Sequence, residues 1–164
     1  MIMVRLSRAD EIKAHTAGLA RESTYGSNPK FQGNKGNFHN AVVIHAEAVG
    51  AEIAVARYLE IDNFEPTINT FKSEPDINWH GLWIEVKQTP RRNGHLIISN
   101  DDRDSDMAIL VVGESPTYYI AGWIPVGVAK RSRFASSAGG WWVSQINLQP
   151  IENLKQSHHA PTAI

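Results

Sequence analysis

Two carboxylates and a lysine lie close together in the sequence, on either side of a predicted turn. Asp76 precedes the turn-forming residues 78–81, and Glu85 and Lys87 follow in the predicted central strand 82–89. Successive side chains of a strand point to opposite faces, so Glu85 and Lys87 share one surface. The turn would fold Asp76 back beside Glu85. Two hard oxygen ligands with a lysine one strand step away suit a magnesium ion and an activated water.

A third carboxylate lies in the alanine-rich apolar region 38–59, which predicts a mostly buried helix. At about 100° per residue, Glu52 falls in a sector of roughly 90° that is otherwise mainly apolar. A carboxylate there is costly unless it is paired or binds a metal. Glu47 lies on roughly the opposite side of the helix and is expected to be solvated.

The residues Pro75-Asp76, a predicted hairpin and then Glu85-Val86-Lys87 resemble the PD-(D/E)XK nuclease superfamily, in particular its phage and bacterial members. The predicted order helix, strand, hairpin strand, strand is also that of the superfamily core. The resemblance covers roughly residues 42–154. It implies one α/β domain over residues 1–155, with a restriction-endonuclease-like core in which helices flank a central mixed β-sheet. Residues 156–164 are predicted to form a disordered tail.

The resemblance implies a Mg²⁺-dependent deoxyribonuclease, with an endonuclease favoured over an exonuclease. Asp76 and Glu85 would ligate Mg²⁺, for which Mn²⁺ can substitute, and the backbone carbonyl of Val86 would complete the protein ligands. Lys87 would orient or deprotonate the attacking water and stabilise charge at phosphorus. Glu52 would hold a second metal ion or a water.

The role of Glu52 has two alternatives. The superfamily more often has glycine directly before the helix glutamate, where this chain has Ala51, so Glu47 is a rival for the same role. Glu52 could also pair with His45 inside the core. The place of Glu52 in the apolar sector favours it and predicts that Glu52, rather than Glu47, approaches the Asp76/Glu85 pair.

Four cations are candidates for DNA contact: Lys30, Lys35, Arg91 and Arg92. The two lysines lie in a long polar loop predicted at 23–40, and the two arginines in a turn at 90–94 just after the central strand. Because the formal net charge is only −1, DNA binding would depend on such a local patch and not on a global field. The competing interpretation is that all four are ordinary solvated charges.

Composition sets the remaining limits. The chain has 164 residues, 42% hydrophobic and 20% charged, as expected of one globular domain. It has no cysteine, which excludes disulfides and thiolate zinc sites. It also has neither a membrane-spanning apolar run nor a signal-peptide segment at its N-terminus. We therefore expect a cytoplasmic protein without membrane contact, in a bacterial host cell if it is phage-encoded, and possibly a homodimer.

A competing function is a non-catalytic nucleic-acid-binding or assembly module on the same fold. Such a module would have no need of the carboxylates, so the intact set Asp76, Glu85 and Lys87 argues against it. The acidic run 101–106 is not a calcium loop, because Met107 stands where such a loop needs glycine. We interpret this run as a solvated turn.

Local patterns predict the other elements. A capping box at 7–10 opens a helix that reaches about residue 21. Strands are predicted at 67–72, 82–89, 95–99, 107–113, 118–124 and 141–146, with short helical turns at 126–134 and 150–154.

Overall fold

Two long helices cover one face of a five-stranded mixed sheet in the computed structural model, which describes residues 1–26, 38–69 and 74–157. The long helices are α1 (Arg8–Gly26) and α2 (Phe38–Tyr58). The strands are β1 (Ile2–Arg5), β2 (Ile77–Trp79), β3 (Leu82–Thr89), β4 (Leu96–Ile98), β5 (Met107–Glu114), β6 (Thr117–Pro125) and β7 (Trp141–Val143). A short helix α3 (Val126–Ala129) and 3-10 helices at Ser132–Phe134, Gln145–Asn147 and Ile151–Gln156 complete the fold.

The main sheet has the strand order β1-β6-β5-β3-β2. The β3–β5 pair is parallel and the other pairs are antiparallel. The first six residues of β5 are all buried because both faces of the sheet are covered, which explains its continuous apolar run. The predicted α/β class, with a central mixed sheet flanked by helices, is confirmed.

The hydrophobic core lies in two clusters, one on each face of the main sheet. The cluster under the long helices includes Val49, Ala54, Ile84, Val86, Ile109 and Val111. The cluster on the opposite face lies under the small β4–β7 sheet and includes Leu96, Ile98, Ala108, Leu110, Val112 and Val143. The middle of β3 is therefore covered on both sides, and its polar side chains lie at the edge of a packed core.

The first helix begins as the capping box predicts. The Ser7 amide donates to Asp10 Oδ2 at 2.9 Å, and the Asp10 amide donates to Ser7 Oγ at 3.2 Å. The helix then continues to Gly26, past the predicted end near Arg21. Its last turns pack against α2, and such tertiary packing stabilises a helix beyond what local propensity indicates.

Several predicted elements differ from the structure. The strand β1 was not predicted; it pairs with β6 at the edge of the sheet. Residues 67–69 do not form the strand predicted at 67–72, and the rest of that segment is not among the described residues. The last strand ends at Val143 and pairs with β4, outside the main sheet.

Two predictions fall on residues that the structure does not describe. Lys30 and Lys35 lie outside the described ranges. The predicted tail begins at Gln156, the last residue of a 3-10 helix, and all of it after residue 157 is likewise outside. Among the described helices, none is long and apolar enough to cross a bilayer.

Candidate active site

A tight hairpin joins β2 to β3 and positions the first carboxylate. His80 and Gly81 form its two-residue turn with φ values of 51° and 89°. Positive φ at both central residues matches the right-handed twist of the strands that the turn connects. The Gly81 amide donates to Asn78 Oδ1 at 2.7 Å, which stabilises the turn. The predicted hairpin is therefore formed.

Asp76 lies just before β2, where this strand diverges from β3. Ile77 pairs with Ile84, so Asp76 comes next to Glu85 in register. Asp76 Oδ2 accepts a hydrogen bond from the Val86 amide at 2.8 Å. This side-chain contact replaces the next backbone bond of the ladder and holds the carboxylate against β3.

Glu85 and Lys87 extend from the same face of β3, and Glu85 is more buried than its strand position suggested. Glu85 is 5% exposed, whereas 25% of the Lys87 side chain is exposed. Lys87 Nζ lies 3.9 Å from Glu85 Oε2 and 2.8 Å from Asp102 Oδ1. The β4–β5 connection, which contains Asp102, lies against this face of β3.

The interpretation of 101–106 as a solvated turn is correct for the exposed Asp101, Asp104 and Ser105 and wrong for Asp102, which is 2% exposed, and Asp106, which is fully buried. Asp102 Oδ2 accepts hydrogen bonds from the Ser99 amide at 2.7 Å and from Ser99 Oγ at 3.1 Å. Its other oxygen accepts from Lys87. Buried carboxylates are tolerated when they are paired and hydrogen-bonded in this way. Asp102 thus orients the predicted catalytic lysine, a role that sequence reasoning missed.

Arg103 is a second neighbour of the site that the sequence did not reveal. Its Nε donates to Asp106 Oδ2 at 2.9 Å, and its terminal nitrogen lies 3.7 Å from Glu85 Oε1. The guanidinium also lies 4.3 Å from the centroid of the Trp83 ring, a cation–π distance. The only local signal was the Arg–Asp spacing of three residues. Lys87 and Arg103 together place positive charge on both sides of Glu85.

Glu52 is 2% exposed and forms an ion pair with Arg21. The guanidinium donates to both carboxylate oxygens, at 2.8 and 2.9 Å, and its Nε donates to the Thr67 carbonyl at 2.7 Å. The alternative pairing of Glu52 with His45 is wrong, because His45 Nε2 lies 3.2 Å from Glu22 Oε2.

Glu47, the rival of Glu52, lies at the turn between β5 and β6. Its Oε2 accepts hydrogen bonds from the Ser115 amide at 2.9 Å and from Tyr118 Oη at 2.7 Å. Glu47 is half-buried, so the expectation of a solvated carboxylate holds only in part, and Glu47 stabilises a hairpin at another part of the sheet. Burial and this hydrogen bond raise the pKa of Tyr118, which keeps its hydroxyl a donor.

The charges of Asp76 and Glu85 act on Glu52, so the three carboxylates share one electrostatic environment. Burial raises the pKa of Glu52 to about 8, with a further contribution from Asp76 and a smaller one from Glu85. The ion pair with Arg21 opposes these effects without cancelling them. The helix, the hairpin and the central strand thus bring three carboxyl groups within electrostatic reach of one another.

We expect this raised pKa to make the protein less stable as pH rises. The folded state holds the Glu52 proton to about pH 8, whereas the unfolded chain releases it near the ordinary value of 4.5. The stabilisation is therefore complete below that ordinary value and is lost as pH increases through about 8.

Urea unfolding between about pH 5 and pH 9 checks this expectation, with Glu52→Gln as the comparison. The free energy of unfolding of the parent should decrease more steeply with pH than that of the variant. Equal slopes in the two proteins would contradict it.

A cleft of about 640 Å³ lies along β3 beside Lys87, and neither Asp76 nor Glu85 is among its lining residues. Its lining includes Lys87, Arg91, His95 and Trp142. The turn at 90–94 forms one rim, and Gln145 Nε2 fixes it by donating to two of its carbonyls, at 2.8 and 3.0 Å. The structure thus places Arg91 in the same cleft as Lys87. Arg92 is exposed in the same turn.

The described residues contain no group of three or more histidine, aspartate or glutamate side chains in an arrangement that could hold a metal ion. Asp76 and Glu85 nevertheless offer hard oxygen ligands next to each other in the register of the β2–β3 hairpin. Mg²⁺ is commonly bound by one or two carboxylates together with waters and substrate phosphates, not by an all-protein cage. The residues present fit that mode.

No protein-family model matches this chain, and neither does any curated protein or solved structure with which it was compared.

Proposed function

We propose that this protein is a metal-dependent nuclease that hydrolyses phosphodiester bonds in DNA. The observation that carries the proposal is the hydrogen bond from the Val86 amide to Asp76. It holds one carboxylate against the strand that supplies both Glu85 and Lys87. A pair of carboxylates with an ammonium one strand step away supplies the groups that metal-assisted attack on a phosphodiester requires, and Lys87 of this set lines the cleft.

Asp76 and Glu85 are the proposed Mg²⁺ ligands, together with the Val86 carbonyl that the superfamily resemblance implies. A carboxylate has about four acceptor positions, so Asp76 can accept the Val86 amide and still ligate a cation. Bound Mg²⁺ would polarise the phosphate and promote ionisation of a water.

Lys87 is proposed to orient the attacking water and to stabilise the charge that develops at phosphorus. An ammonium has three donors, of which Asp102 accepts one at 2.8 Å. Because Asp102 is buried and hydrogen-bonded to Ser99, the position of Lys87 is defined before substrate binds. The remaining donors can reach water or phosphate in the cleft.

Glu52 is proposed to bind a second metal ion or a water through lone pairs that Arg21 does not use. Its two oxygens already accept from Arg21, so this ion pair sets the orientation of the carboxylate. In this arrangement Arg21 is a positioning residue for the metal site.

Cleavage of supercoiled plasmid in Mg²⁺ or Mn²⁺ tests the proposed function, with chelator as the control. Nicked and linear products would indicate an endonuclease, the form that we favour. Activity restricted to linear or single-stranded DNA would indicate an exonuclease. Absence of cleavage with retained DNA binding would favour the non-catalytic module instead.

Location and assembly complete the proposal. The substrate is DNA in the cytoplasm, and a homodimer would allow two sites to cut both strands. Light scattering in the presence and absence of DNA measures the assembly state.

The double substitution Arg91→Ala/Arg92→Ala should weaken DNA binding without changing metal binding. Arg91 lines the cleft and Arg92 is exposed beside it, so both can meet phosphates that approach Lys87. Each lost phosphate contact on duplex DNA should reduce the slope of log affinity against log salt by about 0.9.

Fluorescence anisotropy of labelled duplex over a series of salt concentrations measures this slope. The matched control is Arg8→Ala/Arg131→Ala, which removes two arginines that do not line this cleft. A parental affinity and slope in the Arg91/Arg92 variant would show that the turn is only a solvated connection.

A further inference from the structure

The small β4–β7 sheet exposes two large apolar side chains on its outer face. Ile97 and Trp142 are paired in register across the two strands and are 49% and 43% exposed. Their neighbours in the same strands alternate inward, and Leu96, Ile98 and Val143 are buried. The outer pair is therefore not required to fill the core.

This exposed pair opens into the cleft beside Lys87. His95, also exposed, has its ring centroid 6.1 Å from that of Trp142, with the two ring planes tilted by 44°. Ile97, His95 and Trp142 line the cleft together with Lys87 and Arg91. An aromatic surface and two cations thus lie in one groove.

Aromatic side chains beside cations are the arrangement that proteins use to bind single-stranded nucleic acid. Every base has a π-face that can stack on an aromatic ring, whereas the cations follow the phosphates. In an intact duplex the faces of the bases are occupied by neighbouring base pairs. Only an unpaired or end base can place a face on Trp142.

We propose that Trp142, flanked by Ile97 and His95, is a stacking platform for an unpaired base of the substrate. The preferred substrate is then DNA with a single-stranded segment next to the bound phosphate, such as an overhang, a flap or a gap. This inference deepens the proposed nuclease function and rests on it for the position of the cut. Base binding itself does not require cleavage.

Binding measured without cleavage tests the proposal. Anisotropy titrations in Ca²⁺ compare three labelled DNAs: a blunt duplex, the same duplex with a short single-stranded overhang, and that overhang with abasic sites. The abasic overhang keeps the phosphates and lacks the faces that would stack. We expect the parent to bind the normal overhang about tenfold more tightly than the abasic one, a difference of ~1.4 kcal/mol.

Trp142→Ala should abolish this preference, and Trp142→Phe should retain most of it. The matched control is Tyr119→Ala, because Tyr119 is an aromatic residue 38% exposed on β6 that does not line this cleft. The control should keep the full preference. Because the abasic comparison uses the unchanged protein, it tests the proposal whether or not a variant folds.

Equal affinity of the parent for normal and abasic overhangs would overturn the proposal. A preference for the normal overhang that survives in the Trp142→Ala variant would also overturn it. An equal loss of affinity of that variant for all three DNAs would overturn it as well. Plasmid cleavage without a preference for the normal over the abasic overhang would contradict only the proposed stacking platform. A preference for the normal overhang without any cleavage would support the stacking platform and contradict the proposed nuclease function.

Discussion

Changing Asp76 to Asn or Glu85 to Gln should reduce plasmid cleavage by at least about 10³-fold while the secondary structure stays intact. Each amide keeps the shape of the side chain but removes the charge that a divalent cation needs. In the Asp76→Asn variant the amide oxygen can still accept the Val86 hydrogen bond, so the junction of β2 and β3 is preserved. Initial rates of nicking and calorimetric titration with Mn²⁺ measure the two losses.

Lys87→Met should separate catalysis from metal binding at the same site. The lysine is not a proposed ligand, so Mn²⁺ affinity should remain near that of the parent while cleavage falls by about 10²-fold or more.

The matched control for the Asp76 and Glu85 variants is Asp101→Asn, since Asp101 is an exposed carboxylate next to the buried Asp102. Near-parental cleavage by the Asp76 or Glu85 variants would contradict the metal-site assignment. Equal losses in the Asp101 variant would show that the effect is not local.

Arg21→Met should decrease the free energy of unfolding by about 1–3 kcal/mol, because it leaves the buried, protonated Glu52 carboxyl without the guanidinium that satisfies both of its oxygens. Arg21 is 6% exposed and Glu52 is 2% exposed, and the charges of Asp76 and Glu85 already oppose ionisation of Glu52. Urea unfolding at neutral pH measures the change. The additional substitution Glu52→Leu should recover a large part of the lost stability, because it removes the unsatisfied buried carboxyl group.

The matched control for this cost is Arg57→Met, which breaks the ion pair between Arg57 and Asp10. The Arg57 side chain is 49% exposed, so its loss should cost less than about 1 kcal/mol. A similar decrease in the free energy of unfolding for Arg21→Met and Arg57→Met would contradict the special role of the buried pair. Failure of the second substitution to restore stability would show that Arg21 acts through packing and its bond to the Thr67 carbonyl.

The sequence by itself determined the parts of the site that depend on local geometry. The alternation of a strand placed Glu85 and Lys87 on one face, and the turn residues at 78–81 predicted the hairpin that brings Asp76 to β3. The helical period placed Glu52 in an apolar sector. These inferences required only the residues of one element and the repeat of its backbone.

Only the tertiary structure decided which partner each of these groups has. Arg21 meets Glu52 from 31 residues away, and Asp102 meets Lys87 from 15 residues away. A local pattern indicates which face a side chain occupies, but not which distant segment packs against that face. For that reason the sequence predicted a solvated turn at 101–106, although Asp102 is buried against Lys87.

The cleft, too, is formed by segments that only the tertiary structure brings together. Arg91 follows β3 directly, whereas Trp142 comes from a strand that pairs with β4 outside the main sheet. The segment 141–146 predicts a strand equally well in either sheet. Pairing with β4 was decided by what each sheet could bury, with Val143 turned into the core and Trp142 left exposed beside Lys87.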